Sequence, residues 1–428
     1  MHQPSAGSAR THVVVVGGGV IGVCSAYYLA RAGARVTLLE RGAVAAEASA
    51  GNAGTISPGH PPLNRPGRVR QGLRGMFDPA SPVHVPPRWD PGLWRWLLEF
   101  AENCTREQLV AATDVMAPLG HRSLELFEAA VAEEGLACGY RADGYYDVCA
   151  SAAALAVASD EADLIRPHGY RPEVLAIEEL RRHEPALAPT FAGGVFYPEA
   201  ATVDPYAFVT GLAEAARRLG VCIVEGAEVT DLVVEGGALV GARRGDGTVV
   251  PADAALLATG PFALELAGRF GTRLPVRPGK GYHRDLPVGL DDTPPLRIAC
   301  VLHESAVFCT PLAGRVRLAG TMEFAGVDRE LRPERLAQLS RAAGEAFPAL
   351  AGRPSVSEWC GLRPMSADGL PLVGPLPGLE DVWVATGHGM LGLTLGPVTG
   401  ELVADGLLGG APSPHLLALG PERFHDGR

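Results

Sequence analysis

Residues 13 to 22 read VVVVGGGVIG, a β-branched run that breaks into Gly17, Gly19 and Gly22 before passing into the helical pattern VCSAYYLARAG. The β-branched run reads as a short strand. The three glycines then do different work. Gly17 permits the tight exit from the strand, Gly19 lets backbone approach a pyrophosphate, and Gly22 lets the helix pack close against the strand. The helix start then presents unpaired N–H groups and the positive end of its dipole to an anion. This stretch constrains the chain to begin as a strand–turn–helix unit that binds a nucleotide.

The next segment fits that unit. Ala34 to Glu40 reads as a second strand, and its terminal acid lies 18 positions beyond Gly22, close to the roughly 20 expected for a ribose-binding carboxylate. Glu40 would accept from both hydroxyls of an adenosine ribose. An acid here argues against a 2′-phosphate, which would want arginine.

The chain has 428 residues, too many for one ordinary core, so two or more domains are expected. Hydrophobic residues make up 47% and charged residues 20%, which describes a globular protein. A net charge of −11 supplies no basic footprint and excludes nucleic acid as the natural partner. Eight cysteines without a CxxC pair exclude a zinc or disulfide scaffold, so no metal is expected and a reducing cytoplasm fits best. The first apolar run is too short for a secretion signal, and no uninterrupted apolar stretch of about 18 residues is available to span a membrane. Peripheral association at the inner face of the membrane and a homo-oligomer stay open. Among 37 basic residues Lys280 is the only lysine. Two readings stand for it: chance survival in an arginine-biased composition, or a required primary amine within Pro278-Gly-Lys-Gly-Tyr282.

Residues 58 to 92 are broken by Pro61-Pro62, Pro86-Pro87 and Pro91. Helical patterns follow from about 92 to 134, with Leu93, Trp96, Leu97 and Phe100 as core positions. Asp204-Pro205 announces a helix over roughly 205–219, an N-cap acid before a first-turn proline. Two strand patterns, 228–234 and 238–243, precede Asp253 to Gly260, which resembles a further strand of the parallel sheet reaching the ligand at its carboxyl end. Residues 276 to 354 show short strands with turns, the pattern of an antiparallel sheet. A last Gly-rich turn, Gly387 to Gly392, opens a helix over Thr394 to Leu408.

Five stretches together resemble one family: GGGVIG with Glu40-Arg41, Ala48-Ser-Ala-Gly-Asn-Ala-Gly54, Pro278-Gly-Lys-Gly-Tyr282, Trp359-Cys-Gly-Leu-Arg-Pro-Met365 with Asp368-Gly-Leu-Pro371, and Gly387-His-Gly-Met-Leu-Gly-Leu-Thr394. The chain resembles the FAD-dependent amine and D-amino-acid oxidoreductases (the DAO family) over nearly its whole length, closest to their D-amino-acid dehydrogenase branch. The implied fold class is α/β, α+β overall. A discontinuous Rossmann-like FAD-binding domain (1–65, 196–275 and 355–428) would be joined to a mainly antiparallel substrate domain (66–195 and 276–354).

The resemblance implies FAD as cofactor. Its ADP half would lie on Gly17, Gly19, Val20, Ile21, Gly22, Glu40 and Arg41, with Val229 near the adenine and Gly260 at a strand end. Ser49, Asn52, Ala53 and Gly54 would pass the flavin. Gly389, Leu391, Gly392 and Thr394 would bring a helix N-terminus to the pyrimidine edge, where a reduced flavin carries negative charge.

Arg363 of the GLRP motif would pair bidentately with a substrate carboxylate, a task for which guanidinium geometry is suited. The alternative is an arginine in an internal ion pair. Tyr282 would add a hydroxyl to the same carboxylate, and Lys280 would serve the flavin face through water. His388 is either part of the catalytic site or a satisfied turn histidine. Cys360, offset by one from the position at which some relatives attach flavin, is expected buried and inert, since a one-residue shift turns a strand side chain to the other face.

The implied reaction is hydride transfer from Cα of a D-amino acid, or of a cyclic secondary amino acid such as D-proline or D-hydroxyproline, to flavin N5. The imine then hydrolyses to the 2-oxo acid. The electron acceptor would be a quinone, a carrier protein or O2. Rival readings are a glycine or sarcosine-type oxidase using O2, the catalytic subunit of an opine or hydroxyproline dehydrogenase, and a non-catalytic FAD protein acting as a scaffold. The side chain of the substrate would be read by segments 58–135 and 283–325.

Overall fold

A computed structural model describes residues 11–60, 63–76, 78, 81–289, 295–410 and 413–425. The valine run forms the strand His12–Val16 in the middle of a six-stranded sheet. Arg35–Leu39 and then Cys222–Val224 lie on one side, and Ala254–Leu257, Leu379–Thr386 and Leu372–Leu376 on the other. All neighbours are parallel except the last pair.

Successive valines point to opposite faces, and both faces are covered. Val13 and Val15 enter a core with the helices Val20–Arg31, Pro205–Arg218 and Gly392–Leu407. Val14 and Val16 pack instead under a three-stranded antiparallel sheet, Val229–Glu235, Ala238–Arg244 and Val249–Pro251, and the helix Ala263–Gly268. The Asp204 carboxylate accepts from the backbone N–H groups of Tyr206 and Ala207 at 3.1 Å, capping its helix as its sequence position requires.

The second layer is a large mixed sheet. Its antiparallel part runs Ser357–Ser366, Val276–Pro287, Arg315–Glu323, Val307–Leu312, Ala299–Leu302. Tyr145–Cys149 then pairs parallel to Ala299–Leu302 and antiparallel to Gly193–Tyr197. The helix Pro333–Ala346 covers one side of this sheet.

Sheet membership redraws the expected domain borders at three places. Ser357–Ser366 is bonded along its whole length to Val276–Pro287, from Val276 opposite Ser366 to Asp285 opposite Ser357, so a border at 355 assigns it to the wrong layer. Gly193–Tyr197 straddles the border at 195/196. The helical region 92–134 divides into Pro91–Glu102 and Arg106–Glu134, and the second places Leu126, Phe127 and Ala130 in the nucleotide-side core.

Candidate active site

A cavity of about 430 Å³ runs from the carboxyl ends of the parallel strands into the interval between the two sheets. At its first end the glycine turn behaves as its spacing demands. Gly17 has φ +110°, and a Cβ there would lie 2.5 Å from the Ala258 carbonyl oxygen. A Cβ on Gly22 would sit 1.9 Å from the Gly17 oxygen, so Gly22 acts by close packing and is not itself in the cavity wall.

Gly17, Gly19, Val20 and Ile21 form the wall around the helix start, and Ser49 Oγ accepts from the Val20 N–H at 2.9 Å. The Glu40 carboxylate is fixed by two backbone donors, Gly18 N–H at 2.6 Å and Gly42 N–H at 2.7 Å, and lines the same end. Arg41, stacked 4.2 Å from the Phe262 ring centroid, completes it with Val229 and Gly260.

Further along, Asn52 and Ala53 line the cavity opposite Gly389, Leu391 and Gly392, where the helix Gly392–Leu407 begins. Gly54 (φ +85°) and Thr394 stand just outside the wall and shape it. A Cβ on Gly54 would meet the Val203 oxygen at 2.6 Å, while Thr394 Oγ1 accepts from the Ser57 N–H at 3.1 Å.

Arg363 occupies the centre. Its Nη1 donates to the Thr321 carbonyl at 2.7 Å, and among the described residues it has no carboxylate partner, so the internal ion-pair reading does not apply. Enclosure lowers its pKa from 12.5 to about 10, which leaves it a cation at neutral pH. His388 Nε2 lies 3.0 Å from Thr399 Oγ1, while its Nδ1 is buried without a hydrogen-bond partner. Burial drives this imidazole down to about 3, so it is neutral in the site.

Buried polar atoms of the wall without a hydrogen-bond partner among the described residues include Thr259 Oγ1, His388 Nδ1, Thr321 Oγ1 and Asp147 Oδ1. Unpaired buried polar groups are rare unless a ligand or water completes them. Two helix N-termini, a fixed carboxylate for a ribose and orphan polar atoms spaced along an elongated cavity fit an extended dinucleotide with a carboxylate substrate beyond it.

Residues 12–406 match the family model described as "FAD dependent oxidoreductase" (DAO). The chain belongs to the DAO family. It is 35% identical over 418 residues to a D-amino acid dehydrogenase of Xanthobacter autotrophicus (96% of this chain, 99% of that one) and 37% identical over 406 residues to one of Methylobacterium nodulans (94% and 96%). Among solved structures it resembles glycine oxidase from Geobacillus kaustophilus (TM-score 0.79, 25% identity, covering 97% and 99%). The fold is shared with L-proline dehydrogenase from P. horikoshii (TM-score 0.76, 19% identity, covering 98% and 99%). The cofactor of this DAO-family chain is FAD, and its mixed α/β architecture is that of the family.

Two expected participants in the DAO site are turned away from it. In the strand Val276–Pro287, Gly279 and Gly281 face Met322, Met365 and Arg363, so Lys280 and Tyr282 project from the opposite face. Tyr282 donates its hydroxyl to Glu323 Oε2 at 2.9 Å and lies in the core under the helix Pro333–Ala346. Lys280, fully buried, is paired with Asp328 at 2.9 Å and donates to the Glu330 carbonyl.

Neither residue lines the cavity, which corrects both assignments. The motif serves the site through its glycines: a Cβ on Gly281 would fall 2.2 Å from Arg363 Cζ. Cys360 shares the far face, partly exposed rather than buried, with Sγ 3.2 Å from the Arg329 carbonyl and its thiol raised by burial. Trp359, on the cavity face, stacks on His283 at 5.2 Å.

The sequence reading missed Thr259, Thr321, Trp359 and the cluster Asp147, Glu161 and His303. Thr321 and Ala306, both in the wall, hold φ of +60° and +52°, conformations rare for these residues and frequent at functional sites. No local pattern announces them. The wall beyond Arg363 is drawn from His60, Arg65 and Arg68 on one side and residues 301–322 on the other.

Proposed function

We propose that this DAO-family oxidoreductase oxidatively deaminates a D-amino acid, or a cyclic secondary amino acid such as D-proline. The observation that carries this reading is Arg363, an enclosed guanidinium without a carboxylate partner, in the wall of the cavity whose other end is built for a dinucleotide. Bound FAD would supply the acceptor for the Cα hydride, and the resulting imine hydrolyses in water to the 2-oxo acid with release of ammonia, or, from a cyclic secondary amine, with opening of the ring.

The protein's part is orientation and charge. Arg363 fixes the substrate carboxylate, and Gly281 keeps the slot for its guanidinium open. His388 is held neutral by burial, with Nε2 against Thr399 Oγ1, and its Nδ1, unpartnered among the described residues, is the ring atom left to hydrogen-bond with the substrate. Placing the reacting groups supplies most of the rate enhancement such chemistry needs.

Relatives named D-amino acid dehydrogenases support an acceptor other than O2, a quinone or a carrier protein. In this reading the enzyme is cytoplasmic and meets the membrane only peripherally, through its acceptor. No helix among the described residues is long and apolar enough to cross a membrane.

An anaerobic panel of D- and L-amino acids, glycine, sarcosine and proline enantiomers tests the proposal by flavin bleaching. D-enantiomers should bleach the flavin, and dyes should reoxidise it much faster than air. Preference for glycine or sarcosine with steady hydrogen peroxide formation would replace it with the oxidase reading.

A further inference from the structure

The strand Arg315–Glu323 becomes irregular at the place where it meets the Arg363 side chain. Its pairing with Val276–Pro287 sets Glu323 opposite Lys280 but Gly320 opposite Tyr282, so Thr321 and Met322 together face Gly281 alone. Such a β-bulge re-aims side chains. Here two successive residues, Thr321 and Met322, both line the cavity, where a regular strand would turn one of them to the other face. Thr321 holds φ +60°, a left-handed conformation that a β-branched residue rarely adopts.

Gly281, the residue opposite the bulge, is also the one that the Arg363 guanidinium covers. From its own strand Arg363 therefore reaches across Gly281 to the bulge, where its Nη1 donates to the Thr321 carbonyl at 2.7 Å. Thr321 is only 4% exposed, and its Oγ1 has no hydrogen-bond partner among the described residues. A buried hydroxyl in that state leaves its full desolvation cost unmet until something pairs with it.

We infer that Thr321 is a second binding residue for the substrate carboxylate, its hydroxyl donating to one oxygen while Arg363 holds the other. The inference rests on the amino-acid oxidation proposed above. A guanidinium offers only N–H donors, so the hydroxyl proton of Thr321 finds no acceptor there, and the two groups complete each other through an acceptor that touches both. A carboxylate has two oxygens and lone pairs enough for both, and hydrogen bonds to it are of the stronger, charge-assisted class. Thr321 thus fills the part for which the sequence suggested Tyr282, whose hydroxyl goes to Glu323 on the far face. Its conformation argues the same way. Glycine would hold this φ without strain, and a threonine kept there is the kind of strain that collects where a side chain is used.

The test uses the holoenzyme and three variants. Thr321→Val removes the hydroxyl at nearly constant shape, Thr321→Gly removes it and suits the φ, and Thr321→Ser keeps it. With the amino acid that bleaches the wild-type flavin fastest, the valine and glycine variants should each lose roughly 10- to 100-fold in kcat/KM, the size of a hydrogen bond to a charged group. The dissociation constant of propanoate, a carboxylate without an amine, read from the flavin difference spectrum, should rise by a similar factor. Serine should stay within threefold of wild type in both. The Tm of the substrate-free holoenzyme should stay within roughly 2 °C in all three, which a structural role for the hydroxyl would not allow. The inference is overturned if the valine or glycine variant keeps either quantity within threefold, if serine loses as much as valine, or if the losses come with a Tm lowered by several degrees. Should valine fail to fold, glycine and serine decide. Absence of bleaching by every amino acid would overturn the function itself, a result distinct from bleaching that the Thr321 variants leave unchanged.

Discussion

Replacing Arg363 by methionine separates the substrate-binding role proposed for this residue from what it does for the fold. In the wild-type protein its one strong contact is the Thr321 carbonyl, and enclosure lowers its pKa from 12.5 to about 10. At pH 7 both folded and unfolded chains carry the charge, so the depression represents up to about 3 kcal/mol that the folded state spends on holding an uncompensated cation. Methionine keeps the length, removes the charge and leaves the Gly281 slot filled.

The substrate-free holoenzyme should therefore be equal or more stable, with Tm unchanged or raised by roughly 2–5 °C. Catalysis should move the other way. Removing one partner of an enclosed ion pair costs about 3–5 kcal/mol, so kcat/KM should fall by roughly 150- to 5,000-fold. Differential scanning calorimetry with the flavin spectrum as a check on cofactor content, together with anaerobic half-reaction kinetics, reads both effects. A variant that keeps its flavin and retains kcat/KM within threefold would refute the assignment. A Tm lowered by several degrees with normal flavin content would show that Arg363 is a structural ion.

Three further outcomes rest on the same geometry. Gly22→Ala puts a Cβ where the Gly17 carbonyl stands, 1.9 Å away, and should yield protein that is insoluble or free of flavin absorbance at 450 nm; a soluble, fully yellow variant would contradict the close-packing role. Lys280→Met removes the partner of Asp328 behind the sheet and should lower stability by roughly 2–4 kcal/mol in urea denaturation. It should leave reoxidation by oxygen and by quinone dyes unchanged, and a selective loss of the oxygen rate would return Lys280 to the flavin face. His60, His283 and His388 are held neutral, with pKa values near 4, 4 and 3 against 6.5 unfolded. Unfolding therefore takes up protons below pH 6.5, and the stability these residues contribute, intact above that pH, is lost as pH falls toward 4. The pH dependence of the urea midpoint should show an uptake of two to three protons near pH 5 from these groups, and an uptake below one would contradict their burial.

The nucleotide end was legible because its determinants are local. Gly17, Gly22 and Glu40 lie within two dozen positions, and each acts through the strand or helix it sits on. The place of Arg363 in the cavity wall was legible for a similar reason, as part of a compact motif. Lys280 and Tyr282 were misplaced by alternation: a motif names residues in succession, whereas a strand sends every second one to the other side. Asp147 and His303 were invisible because 156 positions separate them and only a parallel register joins them. The large sheet's claim on Ser357–Ser366 was hidden likewise, since ten backbone pairings leave no mark in the order of residues.

The glycines of the three central motifs serve one purpose that their separate readings obscure. A Cβ on Gly51 or on Gly361 would lie 2.2 Å or 2.1 Å from the Trp359 ring, and one on Gly281 would strike the Arg363 guanidinium. Two bulky cavity-facing groups of one strand thus lie against backbone supplied by their own strand and by two segments remote from it in sequence. Side-chain removal, rather than added chemistry, is what lets Trp359 and Arg363 bound the same space. Alanine at 281 would push the guanidinium off the Thr321 carbonyl, while alanine at 361 or 51 would tilt the indole. The first change should act on KM for the substrate carboxylate, the other two on the cavity wall itself, and this division makes the three positions separable by kinetics and flavin spectrum.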